Sequence, residues 1–292
     1  MKAFIFYAAK AAAVALAYVL GAMVGAAVLS AVGASLPALP AGADADGLPL
    51  LSTIAALTLG LGLGPLAAGL GVGFRARWAT LALLVFVCLG VNTAIEAALF
   101  TTLGGSDGMI VLNVFTSLAV GAALAALFRP AGEEPPWAAR LDRFRRQFPA
   151  GQWAWRLAAA LLAWPVIYLA FGMTVAPWVV PAYEAAQFGL VLPGMGQILP
   201  VQLLRSALFL GASVPALVAW RGSRRGLTLA LAAAHFVLNG LFGLLQATWW
   251  PVSLRTLHTV EILGDSLVYA AVLVLLLARP RSATPSAVTA AA

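Results

Sequence analysis

Apolar stretches of about twenty residues, separated by short polar connections, recur along the whole chain. They fall near residues 11–33, 50–73, 78–99, 109–128, 157–180, 200–220, 227–249 and 256–278. A helix rises 1.5 Å per residue, so roughly 20 apolar residues cover the ~30 Å hydrocarbon core of a bilayer. Lipid offers the backbone no hydrogen-bond partner, so each stretch must satisfy its own amides as a helix. The pattern predicts an all-α fold, a polytopic membrane bundle of eight transmembrane helices. Gly60 and Gly64, then Gly69 and Gly73, stand four residues apart in the second stretch and predict close helix packing. Pro165 and Pro215 fall inside the fifth and sixth stretches and predict kinks.

The pattern also repeats at an offset near 150. Tyr18 and Met23 match Tyr168 and Met173, Leu48-Pro49 matches Leu199-Pro200, and Pro65 matches Pro215. Arg75 matches Arg225, Thr80-Leu-Ala-Leu83 matches Thr228-Leu-Ala-Leu231, and Arg129-Pro130 matches Arg279-Pro280. The matches are in order, which predicts a duplication. Residues 1–130 would form one four-helix repeat and 157–280 a second. An even number of spans per repeat makes the halves parallel, related by an axis along the membrane normal. Residues 131–156 read as a cytoplasmic amphipathic linker lying at the interface, and 281–292 as a disordered tail. In the linker, Glu133-Glu134-Pro135-Pro136 gives a helix start, and Trp137, Leu141, Phe144 and Phe148 make an apolar stripe. Arg140, Arg143, Arg145 and Arg146 are assigned to the opposite face, against anionic lipid headgroups, with Trp153 and Trp155 anchoring the fifth span.

Composition agrees with a membrane class: 63% of residues are hydrophobic and 9% charged, far below the charge content of soluble domains. The net charge of +7 does not point to nucleic acid, because the basic residues lie in connections, where they set topology. Of the 17 Lys and Arg residues, all but Arg205 and Arg255 fall on one side. That bias predicts both termini in the cytoplasm and a cytoplasmic (inner) membrane location. The apolar run from Ala11 to Leu36 is too long for a secretory signal core, so the first span is expected to be retained. The one cysteine, Cys88, sits in an apolar run and reads as a small hydrophobe.

Ionisable groups inside spans are costly, so each is a candidate for function. Glu96, Arg205 and Glu261 come out at one depth near the outer ends of their spans. Asn92, Asn239 and Asp265 form a second layer, and His235 lies a turn deeper. At 100° per residue, His235, Asn239, Phe242 and Gln246 share one stripe, and Arg255, His258, Glu261, Asp265 and Tyr269 share another. Three polar stripes at matching depth predict a cavity opening outward, covered by the 181–199 connection. Arg205 would bind an anionic group or pair with Glu261 or Glu96. Glu261, Asp265 and Glu96 would be counter-ions or proton acceptors, with Asn92, Asn239, Gln202 and His235 lining the site. The favoured activity is binding and transport of a small solute or lipid headgroup. An outer-leaflet hydrolase or transferase is a second reading, with His258 as general base oriented by Glu261. A non-catalytic assembly partner is a third.

Motifs for other chemistry are weak. No His-Glu-x-x-His pair is present, the two histidines differ in depth, and no metal or cofactor is assigned. Ser253 and Ser266 near His258 lack nucleophile context. His235-x-x-x-Asn239 matches the last motif of the intramembrane CAAX-type proteases, but their Glu-Glu-x-x-x-Arg and Phe-x-x-x-His motifs are missing, which excludes that family. The segments Pro200-Val-Gln-Leu-Leu-Arg205 to Pro215, and Pro251-Val-Ser-Leu-Arg-Thr-Leu-His-Thr-Val-Glu261, resemble bacterial multi-pass membrane proteins of no assigned activity. The resemblance covers about a third of the chain and implies no reaction. It singles out Gln202, Arg205, Arg255, His258 and Glu261.

Overall fold

The computed structural model describes residues 2–34, 40, 42–102, 106–130, 132 and 135–279. Their helices are α1 (Lys2–Ala31), α2 (Leu48–Gly69), α3 (Phe74–Phe100), α4 (Ser106–Leu127), α5 (Trp137–Arg145), α6 (Ala150–Glu184), α7 (Met195–Ala219), α8 (Arg224–Gln246) and α9 (Val252–Leu277). All except α5 are long and apolar enough to cross a membrane, so the chain is an integral membrane protein with eight spanning helices. No strand occurs among the described residues, only two isolated antiparallel bridges. Glu133, Glu134 and the 281–292 tail lie outside the described residues.

Several helices extend beyond the apolar stretches that reveal them, because intrahelical hydrogen bonding does not stop where lipid does. The largest excess is in α6, whose 35 residues take in Tyr183 and Glu184, both expected in a connection. Helical structure continues through Pro65, Pro165 and Pro215. In the first half α1 packs on α2 and α4, and α3 packs on α4; in the second half α6 packs on α7 and α9, and α8 on α9. Between the halves α2 lies against α8 and α3 against α7.

Small residues set these approaches. A Cβ on Gly60 would stand 2.5 Å from the Ala11 backbone, so only glycine lets α1 and α2 meet there. Gly64 faces Phe128 and Tyr7, and Gly69 faces the Trp220 ring, whereas Gly73 has open space around it. The glycine pattern is thus a packing device at three of its four members.

The halves are stitched at the end where α1 begins. Gly71 N donates to Ala219 O (2.9 Å) and Arg221 N donates to Gly69 O (3.1 Å), closing the Leu70–Trp220 bridge. Beside it, guanidinium groups reach last-turn carbonyls of neighbouring helices. Arg77 Nη2 donates to Ala125 O in α4, and Arg224 Nη2 donates to Val274 O in α9, each at 3.0 Å. Near the middle of the bundle, α3 and α8 each carry a π-helical segment, Phe86–Val91 and Val237–Leu241, and the two segments touch.

Helix α5 docks beneath this end with Phe144 buried and Trp137 and Leu141 packed on the core. Phe144 and Phe148 bracket Trp153 at ring separations of 4.9 and 5.2 Å. Arg140, expected on the headgroup face, is instead buried at 9% exposure and lies against Gly71. At 100° per residue it falls about 40° beyond Phe144, at the edge of the apolar stripe. Arg143, Arg145 and Arg146 remain exposed, with Arg146 Nε donating to Asp142 at 3.0 Å.

Candidate functional site

The site grows from α7. Met195–Ala219 turns Gln202, Arg205, Ser206 and Phe209 inward, all at 3% exposure or less. Glycine is unnecessary here; the face is built of i, i+3 and i+4 positions. Arg205 Nη2 donates to Glu96 Oε1 of α3 at 2.6 Å, and Nη1 to Gln202 Oε1 at 3.3 Å. The same Gln202 oxygen accepts from Trp164 Nε1 of α6 at 2.9 Å. Ring faces enclose the guanidinium, with Trp164, Phe209 and Tyr168 at 5.5, 5.6 and 5.7 Å, which is cation–π distance.

Arg205 was expected to meet Glu261 within hydrogen-bonding reach, with Glu96 or His258 as a third member; its ion pair is instead with Glu96. Glu261 turns instead to its own helix, where His258 Nδ1 and Glu261 Oε2 are 2.8 Å apart. The imidazole sits near the rings of Trp250 (5.6 Å) and Tyr183 (6.4 Å), and its Nε2 is buried with no protein partner. The i, i+3 spacing favours the His258 pairing because it requires no helix-to-helix reach.

Asp265 is the odd member. It is 2% exposed, and its Oδ1 has no hydrogen-bond partner. Asn92, 1% exposed, leaves both its amide oxygen and nitrogen unpartnered. Gln202 Nε2, Ser266 Oγ and Asn239 Oδ1 are likewise buried without a partner. Buried polar atoms are ordinarily satisfied by protein or water, and these five residues each keep at least one side-chain atom that no protein group satisfies.

His235, fully buried, belongs to a separate group one level down. Its Nε2 is 3.0 Å from Ser213 Oγ of α7 and its Nδ1 is 3.3 Å from Asn239 Nδ2. Cys88 Sγ approaches the same Nδ1 at 3.9 Å, so the cysteine is more than an apolar filler. The expected stripe on α8 does not hold together: Phe242 packs edge-on against Tyr18 of α1, and Gln246 accepts from Ser52 of α2 at 3.0 Å. The π segment between Asn239 and Phe242 is the cause. It inserts one residue and so rotates everything beyond it by about 100°.

The expected open cavity is a packed layer. Glu96 alone reaches outward, its side chain 38% exposed against 4% for Arg205. Two hollows at this end, of about 260 and 240 Å³, are lined by Leu241, Arg255 and Thr259 and by Trp178, Phe188 and Leu254, away from Arg205 and Asp265. Thr102 N donates to Gly189 O (2.9 Å) and Val191 N to Phe100 O (2.8 Å), tying the residues between α6 and α7 to the end of α3. Among the described residues no three His, Cys, Asp or Glu side chains converge as a metal site.

Trp164, Tyr168, Ser206 and Ser213 were not among the candidates. Their types carry no charge, and in a span an aromatic or serine is the ordinary background. Gln202, reached from sequence, is the residue that would have led to Trp164. Comparison with family models, with curated proteins and with solved structures gives no match to this chain.

Proposed function

We propose that this integral membrane protein binds a small polar solute in the layer around Arg205, Asn92 and Asp265, as part of moving it across the membrane or sensing it. The observation that carries the reading is the set of buried, unpartnered polar atoms on Asn92 of α3, Gln202 of α7, and Asp265 and Ser266 of α9. Polar glue would have spent these atoms on one another. The Lys and Arg distribution supports a cytoplasmic-membrane orientation with both termini inside, which places the layer on the outer side. The matching helix contacts of the two halves, and the 150-residue offset that relates Gly71→Ala219 to Arg221→Gly69, support a parallel four-plus-four repeat.

Asn92 provides the test. Its side chain has no protein partner to lose, so Asn92→Leu removes an unsatisfied amide at about 1–3 kcal/mol. The expected result is a variant no less stable than the parent that no longer responds to a solute which stabilises the parent in a thermal-shift panel of sugars, amino acids and headgroup analogues. A destabilised Asn92→Leu, with no solute response in the parent, would mean the layer is structural.

A second reading is an outer-leaflet hydrolase or transferase, favoured by the 2.8 Å His258–Glu261 contact. A carboxylate on Nδ1 orients imidazole as a general base acting through Nε2, the atom left free here. Covalent labelling by a fluorophosphonate, lost in His258→Gln, would favour it over solute binding.

A further inference from the structure

We infer that the Asp265 carboxylate is the receptor for a positive charge brought into the polar layer, a monovalent cation or the ammonium group of a small solute. This rests on the reading of the layer as a solute site and names the charge of what it takes.

The charges already present leave one gap. Glu96 is matched by Arg205 at 2.6 Å, and Glu261 is bound to His258 at 2.8 Å. Arg205 donates to Glu96 and Gln202 and keeps a buried, unpartnered Nε, but its one positive charge is already set against Glu96. Asp265 remains, 2% exposed, with Oδ1 unpartnered. A carboxylate taken out of water without a counter-charge is among the costliest groups a membrane span can carry. The charged groups that act on it are Glu261 on its own helix, which repels an anion, and Arg205 on α7, whose one positive charge is shared with Glu96.

The surroundings suit a cation. One helical turn inward from Asp265, Tyr269 packs against Trp164 at 5.3 Å, and aromatic faces attract ammonium groups. Beside the carboxylate, Ser266 Oγ is a further oxygen without a partner. Glu96 and Glu261 already have partners, and among the described residues no three carboxylate, imidazole or thiol side chains converge, so the one open negative charge matches a single positive one. Glu96, partly exposed, offers a negative side chain on the way in.

The experiment uses the full chain in nanodiscs at constant ionic strength. Tm is measured in sodium, potassium or methylammonium chloride against N-methylglucamine chloride, for the parent, Asp265→Asn, Asp265→Ser and the outlying control Glu184→Gln. The expected result is a rise of about 3 °C with one of the small cations, as for a site roughly tenfold above Kd. The rise persists in Glu184→Gln and is lost in both Asp265 variants, whose Tm in N-methylglucamine is no lower than the parent's. A parent indifferent to these cations but changing in Tm between about pH 5 and pH 8, where the Asp265 variants do not, identifies the charge as a proton. Identical responses of parent and Asp265 variants in both arms overturn the inference. The Asn92→Leu measurement judges the solute site separately, so the two failures are distinguishable.

Discussion

Glu96 and Arg205 stand 109 residues apart and join α3 to α7, so the ion pair links the two halves on the side away from the Leu70–Trp220 bridge. Removing one partner strands a buried charge, whereas removing both leaves only apolar surface. Arg205 is 4% exposed at its side chain and Glu96 38%, so the stranded guanidinium is the costlier case. Glu96→Leu should therefore lower stability by about 3 kcal/mol, and Glu96→Leu with Arg205→Leu by clearly less. The two unfolding measurements check it; equal or additive losses would show that the pair is not coupled. A smaller effect belongs to Ala186, which sits with φ of 50° in the left-handed region. That conformation costs a non-glycine residue roughly 1 kcal/mol, so Ala186→Gly should stabilise by a comparable or slightly smaller amount, read from the same unfolding curves.

At the scale of elements, glycine positions separate helix contact from lipid exposure. Gly60 abuts the Ala11 backbone, while Gly211 of α7 has nothing within 4 Å. Gly60→Leu should cost about 1–3 kcal/mol by overpacking and Gly211→Ala should be neutral or stabilising, as thermal unfolding in one detergent will report. The eight helices were legible because lipid imposes one rule on every span: about twenty apolar residues with no unsatisfied backbone. Depth was legible for the same reason, since rise per residue is constant, and it put Glu96, Arg205 and Glu261 together. Which partner each side chain takes was not, because facing assumes an unbroken helical period. The π segments of α3 and α8 break that period, which is why Asn239 and Gln246 look in different directions. Phe86-Val-x-x-Gly90 and Phe236-Val-x-x-Gly240 mark both segments; the pair was readable as a repeat, but nothing in composition says that it is a π turn.

Across the whole molecule, corresponding contacts recur in the two halves. Helix pairs α1–α4 and α6–α9, α1–α2 and α6–α7, and α3–α4 and α8–α9 correspond one to one, and the bridge at Leu70–Trp220 joins residues 150 apart. A two-fold axis along the membrane normal passing near that bridge would account for all of it. Such an axis keeps matching positions on the same side of the bilayer, unlike an inverted repeat. Arg75 and Arg225, 150 apart and both exposed or half-buried near the stitched end, test this together with the orientation proposed from the basic residues. In the Cys88→Ser background, Arg75→Cys and Arg225→Cys should both resist an impermeant thiol reagent in intact cells and both react once the cells are opened. Glu184→Cys, at the opposite end, should react from outside without opening. Labelling of Arg75→Cys and Arg225→Cys from opposite sides would exclude the parallel repeat. Labelling of both from outside would keep the repeat and reverse the orientation, moving the Asp265 layer to the cytoplasmic side, where any solute would have to reach it.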